Sequence, residues 1–188
     1  MISFIIPCYW HSKKLLDMTS ECIGGVWDKG EVLVIADKQS YAKNVNKGFK
    51  IARGDIIVVL NNDLKFIDPY WLHHLTEPLK EYDICSIRTT EEGWETRDEL
   101  EEDAKFGSIW AFRREVYDEI GDLDESFGNY FEDLDFHKRA TDAGFRVVKN
   151  HNGLVEHLGK ATFKEIDPKD KQYQRGMELF EKKWGSVW

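Results

Sequence analysis

Cysteine is scarce in this chain, which has three among its 188 residues, at Cys8, Cys22 and Cys85. Their spacings match neither the paired arrangement of a zinc site nor the even framework of a disulfide-stabilised secreted domain. Free thiols of this kind are typical of a reducing compartment. The sequence therefore predicts neither structural zinc nor disulfide bridges, and it favours a cytoplasmic location.

Long apolar runs and an excess of positive charge are also absent. No stretch approaches the roughly 20 apolar residues of a transmembrane helix, and residues 1–6 are too short, with no basic flank, for a signal peptide. The net charge is −9, whereas a nucleic-acid-binding protein needs a basic face. We expect a soluble protein that binds no nucleic acid and is cytoplasmic or held peripherally at a membrane surface.

The chain does contain a regular alternation of apolar strands and amphipathic helices. With 41% hydrophobic residues it can bury one substantial core. The alternation predicts a three-layer α/β/α domain over residues 1–188 with a mostly parallel central sheet. The predicted strands are 2–6, 31–36, 55–60, 83–87, 108–112, 145–148 and 154–157, and the predicted helices are 12–22, 41–52, 69–80, 113–120, 132–143 and 169–184.

The most informative stretch is Asn61-Asn62-Asp63, which follows the apolar run of residues 54–60. A buried parallel strand reads as a continuous apolar run, and ligands of open α/β sheets bind at the carboxyl ends of strands. A carboxylate there, flanked by two amides, suits a hard divalent cation and a diphosphate. A plain turn is the alternative, because Asn and Asp favour turns.

A second polar pair, Glu132-Asp133, opens a predicted helix after the aromatic segment 127–131. The dipole at a helix N-terminus favours ionised carboxylates. Acids are also common at helix starts without any function, so the pair alone decides nothing.

Taken in order, these motifs resemble glycosyltransferase family 2, the inverting enzymes of the A-type (GT-A, Rossmann-like) fold. A Gly-rich strand at residues 107–112, an Arg-Arg helix and a Gly-x-x-Asp-Glu turn complete the family's acceptor-side block before Glu132-Asp133. The resemblance covers about residues 1–160 and is specific in the order of its motifs. The family pattern around the acidic triplet is matched by Ala42, Asn44, Ala52, Gly54, Asp55 and Asp63.

The resemblance implies transfer of a sugar from a nucleoside diphosphate sugar, with UDP favoured over dTDP, to a hydroxyl of a glycan, a lipid-linked sugar or a glycoprotein. Residues 1–87 would form the donor side and residues 104–160 the acceptor side, followed by a helical tail at 161–188. Asp133 would be the catalytic base, and Trp110 and Glu132 would lie on the acceptor side. Asp63 and His157 would hold Mn²⁺ or Mg²⁺. The donor nucleotide would contact Pro7, Tyr9, Asp37, Lys43, Asn61 and Asn62.

The sequence also departs from the family. Residues 38–40 alone separate Asp37 from the helix at 41–52, where family members usually carry a helix and a strand. This shortening leaves open a non-catalytic nucleotide- or sugar-binding module on the same fold. A nucleotidyltransferase is the other alternative, although residues 7–11 lack the glycine-rich loop that it needs. No G-x-G-x-x-G follows a strand, which disfavours a Rossmann oxidoreductase.

Two further segments carry predictions. Residues 91–103 are unusually acidic and predict a solvated loop, with a lid or acceptor-selecting loop, in which Trp94 would stack on a sugar, as the alternative. In the last helix the apolar residues share one face, which predicts packing. If that face is exposed it would form a dimer or partner patch, so a homodimer stays open. Its members are Tyr173, Met177, Phe180 and Trp184.

Overall fold

The computed structural model describes residues 1–8, 13–92, 100–105, 107–158 and 171–185. The strands are β1 Ile2–Cys8, β2 Glu31–Ala36, β3 Ile56–Leu60, β4 Leu64–Lys65, β5 Ile84–Thr89, β6 Leu100–Glu102, β7 Ile109–Arg113 and β8 Val147–His157. The helices are α1 Lys13–Gly24, α2 Tyr41–Ile51, α3 Trp71–Thr76, α4 Arg114–Ile120, α5 Glu132–Asp142 and α6 Lys171–Trp184. Two predicted contacts, Tyr9 and Trp94, lie outside the described residues.

All of these strands belong to one sheet with the order β2-β1-β3-β7-β5-β8-β4, and β6 pairs with β8. Pairing is parallel in β2-β1-β3 and between β5 and β8. β7 runs antiparallel to both β3 and β5. Five strands, β2, β1, β3, β5 and β8, therefore point the same way, and their carboxyl ends meet at one edge of the sheet.

The sheet is covered on both faces because its strands alternate two sets of apolar residues. In β1 and β3, Phe4 and Val58 pack on one side with α1 and α3, whereas Ile5 and Ile57 pack on the other side with α2, α4 and α5. The second face is rich in aromatic rings, with Phe49 of α2 at its centre. This is the predicted three-layer α/β/α architecture with a sheet that is mostly parallel in its core.

The last helix packs against the loop that precedes α5. Phe180 of α6 lies 5.9 Å from Phe131 and 6.3 Å from Phe127, measured between ring centroids. Tyr173 lies 5.2 Å from Phe131 in the same way. The apolar face of α6 is thus used in intrachain packing, as its spacing predicts. The homodimer and the cytoplasmic location stay predictions.

Two predictions of secondary structure are wrong. Residues 145–148 and 154–157 are not separate strands, because β8 runs from Val147 to His157 with a bulge opposite β5 between Ile87 and Arg88. Gly153 allows the close approach there, since a Cβ would lie 2.6 Å from the Ile87 side chain. The acidic segment is also not wholly loop: β6 pairs with β8 at its end.

Across the described ranges no helix has both the length and the apolar character needed to cross a bilayer.

Candidate active site

The carboxyl edge of the sheet gathers polar groups from distant parts of the chain. Asn61 and Asp63 follow β3, Glu91 follows β5, and His157 ends β8. Ser108 precedes β7, which runs in the opposite direction, so it reaches the same edge. Backbone hydrogen bonds fix this arrangement, because Asn61 N donates to Ser108 O at 2.8 Å and Leu158 N donates to Asp63 O at 3.1 Å.

His157 is the centre of this group. Its Nε2 lies 3.0 Å from Asp63 Oδ1, and its Nδ1 lies 2.8 Å from Glu91 Oε2. The side chains of His157 and Asp63 are 7% and 6% exposed, whereas that of Glu91 is 49% exposed. Burial alone would lower the pKa of His157, but the ion pairs with Asp63 and Glu91 outweigh it and raise that pKa. The imidazole is therefore held by a carboxylate on each side.

The two asparagines of the triplet lie in different surroundings. Asn61 Nδ2 lies 3.4 Å from His157 Nε2, so this side chain belongs to the polar group around His157. Asn62 is buried instead, and its Nδ2 donates to Thr19 Oγ1 of α1 at 3.0 Å. Both residues follow the end of β3, and residues 62 and 63 form a turn. The structure thus brings Asn61 to the site and uses Asn62 to hold α1.

The geometry around Asp63 and His157 is compatible with a shared cation. Two ligand atoms at right angles on an octahedral ion, each about 2.1 Å from it, lie about 3 Å apart, and Asp63 Oδ1 and His157 Nε2 are separated by 3.0 Å. Carboxylate oxygen with imidazole nitrogen suits Mn²⁺ or similar ions. Among the described residues no group of three or more His, Cys, Asp or Glu side chains is arranged as a metal cage. Asp63 and His157 would supply two ligands to such a cation, and its other ligands would have to come from outside the described side chains.

The second group of the edge is the carboxylate pair that begins α5. Phe131, immediately before it, has a left-handed backbone with φ 73°, a strained conformation for an aromatic residue. Glu132 is buried, and within the described part of the chain its Oε2 has no hydrogen-bond partner. Asp133 Oδ1 accepts from Leu134 N at 2.8 Å.

Burial decides the titration of this pair. Desolvation raises the pKa of Asp133 to about 6, although backbone N–H groups at the helix start act in the opposite direction. Desolvation, with the charge of Asp133 in addition, raises the pKa of Glu132 well above its usual range. The helix dipole predicted from the sequence is therefore outweighed, and the pair keeps a proton at higher pH than ordinary carboxyls.

Tyr41, the first residue of α2, connects the two groups. Burial and the negative charges of Glu132, Asp133 and Asp63 raise the pKa of its phenol well above the usual range, and a hydrogen bond with Trp110 acts the other way. The phenol thus lies within electrostatic reach of both halves of the edge. The sequence analysis did not select Tyr41, and the available signal was its place at a helix start four residues after a strand-end acid.

Trp110 lies beneath this edge and is 1% exposed. Its ring packs 5.2 Å from Phe112 and 5.2 Å from Phe136. The structure therefore places it in the aromatic core under Tyr41, and any role on the acceptor side would act through that phenol.

The predicted nucleotide contacts are more dispersed. Pro7 is buried near the end of β1, where it pairs with Ile35 of β2. The Asp37 carboxylate forms an ion pair with Lys47, one turn along α2 from the exposed Lys43. Lys43, Lys47 and Lys50 line a shallow groove with Gln39, Asn46 and Glu125. Asp37 and Lys43 thus lie near the end of β2, at the other end of the strand order from β8, which carries His157.

Comparison with known proteins identifies the family. Residues 12–129 match the family model described as Glycosyl transferase family 2, which is more than half of the chain. The chain belongs to glycosyl transferase family 2. The match includes Asp63 and Tyr41 of this family-2 glycosyltransferase but ends before Glu132 and Asp133, so a role for that pair rests on geometry and on motif order. No curated protein matches the chain in sequence.

Solved structures agree on the fold of this glycosyltransferase. The crystal structure of GalNAc-T7 with UDP, GalNAc and Mn²⁺ superposes with a TM-score of 0.65 at 13% sequence identity. The alignment covers 95% of this chain and 48% of that one, so the chain spans about half of that protein's length. The predicted GT-A fold is confirmed by this likeness.

Proposed function

We propose that this family-2 glycosyltransferase moves a sugar, with inversion, from a nucleoside diphosphate sugar to an acceptor hydroxyl. UDP is favoured over dTDP as the nucleotide, and the acceptor is a glycan, a lipid-linked sugar or a glycoprotein. The observation that carries the proposal is the convergence of Asp63 and His157 with Glu132 and Asp133 on one edge of the sheet, around Tyr41.

Each group has a place in an in-line displacement at the anomeric carbon. Asp133 takes the proton of the acceptor hydroxyl as that oxygen attacks, which requires the ionised carboxylate. Glu132 orients the acceptor or the base, since its unpartnered Oε2 is buried beside Asp133. Tyr41 keeps its proton at neutral pH, so its phenol presents a hydrogen-bond donor within electrostatic reach of both carboxylates.

The donor half has the complementary task of stabilising the leaving group. Asp63 and His157 would hold a divalent cation, Mn²⁺ or Mg²⁺, which would supply positive charge to the departing diphosphate. That GalNAc-T7 was crystallised with UDP and Mn²⁺ supports this choice of donor and cation. Asn61, whose Nδ2 lies 3.4 Å from His157 Nε2, would donate a hydrogen bond to a phosphate oxygen.

The test is a thermal-shift panel of nucleotides and nucleotide-sugars, each with Mn²⁺ and with EDTA. A ligand that binds the native state raises the melting temperature by mass action, so we expect UDP and one UDP-sugar to do so with Mn²⁺ and not with EDTA. The stabilising nucleotide-sugar is then incubated with candidate acceptors, and released UDP is measured. No metal-dependent shift by any nucleoside diphosphate would contradict the proposal.

The same assay separates the alternatives. A binding module would be stabilised by a nucleotide-sugar but would release no UDP with any acceptor. A nucleotidyltransferase would instead release pyrophosphate from a nucleoside triphosphate and a sugar phosphate. Release of UDP that requires an acceptor is expected of a glycosyltransferase alone among the three.

A further inference from the structure

We propose that Glu91 is a positioning residue that holds the His157 imidazole with Nε2 directed at the cation. The inference rests on the proposed function, because it assigns a role in the same cation site. Its basis is the geometry of one ring, with Nδ1 2.8 Å from Glu91 Oε2 and Nε2 3.0 Å from Asp63 Oδ1.

A neutral imidazole has one proton, and the partner that accepts it decides which nitrogen is free to bind a cation. Glu91 lies at Nδ1, so when a cation takes the lone pair of Nε2, the one proton of the ring lies on Nδ1 and Glu91 accepts it. Histidines that bind metals commonly donate their other N–H to a carboxylate in this manner, which orients the ring and strengthens it as a ligand. Glu91 thus supplies the outer carboxylate of such an arrangement.

The hydroxyl groups around His157 do not select a tautomer. Ser108 Oγ lies 3.1 Å from Nδ1 and 3.3 Å from Nε2, so it contacts both nitrogens nearly equally. Thr90 Oγ1 accepts from the backbone N of His157 at 3.3 Å and holds the main chain but not the ring. Of the side chains described around the ring, Glu91 is the carboxylate on the side away from Asp63.

The next residue provides a matched control. Glu92 has the same side chain in the same turn, but its Oε2 accepts from Lys149 Nζ at 2.8 Å and its Oε1 accepts from Thr89 N at 3.3 Å. A general effect of negative charge at this end of the sheet would be shared by both acids. An effect that depends on contact with His157 belongs to Glu91 alone.

The experiment measures Mn²⁺ affinity by electron paramagnetic resonance, with and without UDP, for the wild type and for Glu91→Ala, Glu91→Gln and Glu92→Ala. Glu91 is half exposed, so its truncation should leave the fold intact, which circular dichroism verifies. We expect Glu91→Ala to weaken Mn²⁺ binding by about 10- to 100-fold, the usual effect of removing an outer-shell partner. Glu91→Gln should lie between, since its amide oxygen still accepts from Nδ1, and Glu92→Ala should match the wild type.

The outcomes separate the inference from the proposed function. If the wild type binds Mn²⁺ and Glu91→Ala binds it equally well, or if both alanine variants weaken binding alike, Glu91 does not position His157. If the wild type binds no Mn²⁺ even with UDP, the proposed cation is wrong and the inference falls with it.

Discussion

Asp63 Oδ1 and His157 Nε2 lie 3.0 Å apart, although one residue follows β3 and the other ends β8. The contact exists because the chain leaving β3 continues into β4, whose Leu64 pairs with His157 of β8, and Leu158 N donates to Asp63 O at 3.1 Å. Two nearly buried ionisable groups are thereby held at the separation of two ligands on one ion. The donor half of the site depends on this pair.

The first prediction concerns Asp63→Asn, which keeps the size of the side chain but removes its charge. Without the carboxylate the cation loses a ligand, so UDP affinity in Mn²⁺ should fall to the value that the wild type shows in EDTA. Calorimetric titration with UDP under both conditions measures this. Asp55→Asn is the control. Asp55 is exposed and immediately precedes β3, so this variant should bind UDP as the wild type does. Equal UDP affinity of the wild type in Mn²⁺ and in EDTA would exclude the cation from donor binding.

The second prediction concerns Asp133→Asn. The amide cannot accept the acceptor's proton, so turnover should fall by about a hundredfold or more, the usual contribution of a general base. UDP affinity should change little, because the proposed function assigns Asp133 to the acceptor hydroxyl and not to the diphosphate. Asp142→Asn, at the exposed end of the same helix, is the matched control. Turnover is measured as UDP release from the nucleotide-sugar that the thermal-shift panel selects.

Glu132→Gln decides between the two acids of the pair. If Glu132 only orients the acceptor, its variant should be affected less than Asp133→Asn. Near-normal turnover in Asp133→Asn would remove that residue from the mechanism. Loss of turnover in Glu132→Gln, with near-normal turnover in Asp133→Asn, would assign the role of base to Glu132.

The third prediction is the pH dependence of transfer. Burial raises the pKa of Asp133 to about 6, above the value near 3.9 of an ordinary Asp. The base acts only when ionised, so kcat/KM should rise with pH through about 6 and level off above it. The limb belongs to the pair, because two interacting acids titrate together. An acid limb near pH 4 would show that the base is a well-solvated carboxyl.

Residues at the ends of apolar strands could be predicted from the sequence. Asp63 was selected because a continuous apolar run must be a buried strand, and the strand then places whatever follows it at the ligand-binding edge. Glu132 and Asp133 are predicted from motif order. In the structure these two residues and Asp63 all lie within electrostatic reach of the Tyr41 phenol. Each of these predictions needs only the local sequence and the order of motifs, and a single sequence supplies both.

Contacts that depend on strand order could not be predicted in this way. Glu91 and Ser108 contact His157 because β5 lies between β7 and β8 in the sheet. The local sequence around residues 91 and 108 does not indicate this strand order. From the sequence, Glu91 is predicted only as part of the solvated acidic loop at residues 91–103. Likewise the polar residues before Gly153 read as a gap between strands, whereas Asn150 Nδ2 donates to His74 O at 2.8 Å and the strand continues.

The last prediction concerns the attachment of α6. Asp135, two residues after Asp133, is fully buried, and its carboxylate contacts Arg139 Nε at 2.9 Å, Lys183 Nζ at 2.7 Å and Trp184 Nε1 at 2.8 Å. Trp184→Phe keeps an aromatic ring on the helix but removes the indole donor. A hydrogen bond to a charged group contributes about 1.5–3 kcal/mol to stability, so the free energy of unfolding should fall by about that amount.

Urea denaturation measures the change, as a lower midpoint with an unchanged slope. Trp27→Phe is the control for the substitution itself, because Trp27 is 68% exposed and exposed changes usually stay within about 0.5 kcal/mol. Equal stability of Trp184→Phe and the wild type would mean that Arg139 and Lys183 satisfy Asp135 without the indole. A larger loss than the hydrogen bond explains would instead indicate that the ring's packing beside Lys138 and Lys183 also holds α6 in place.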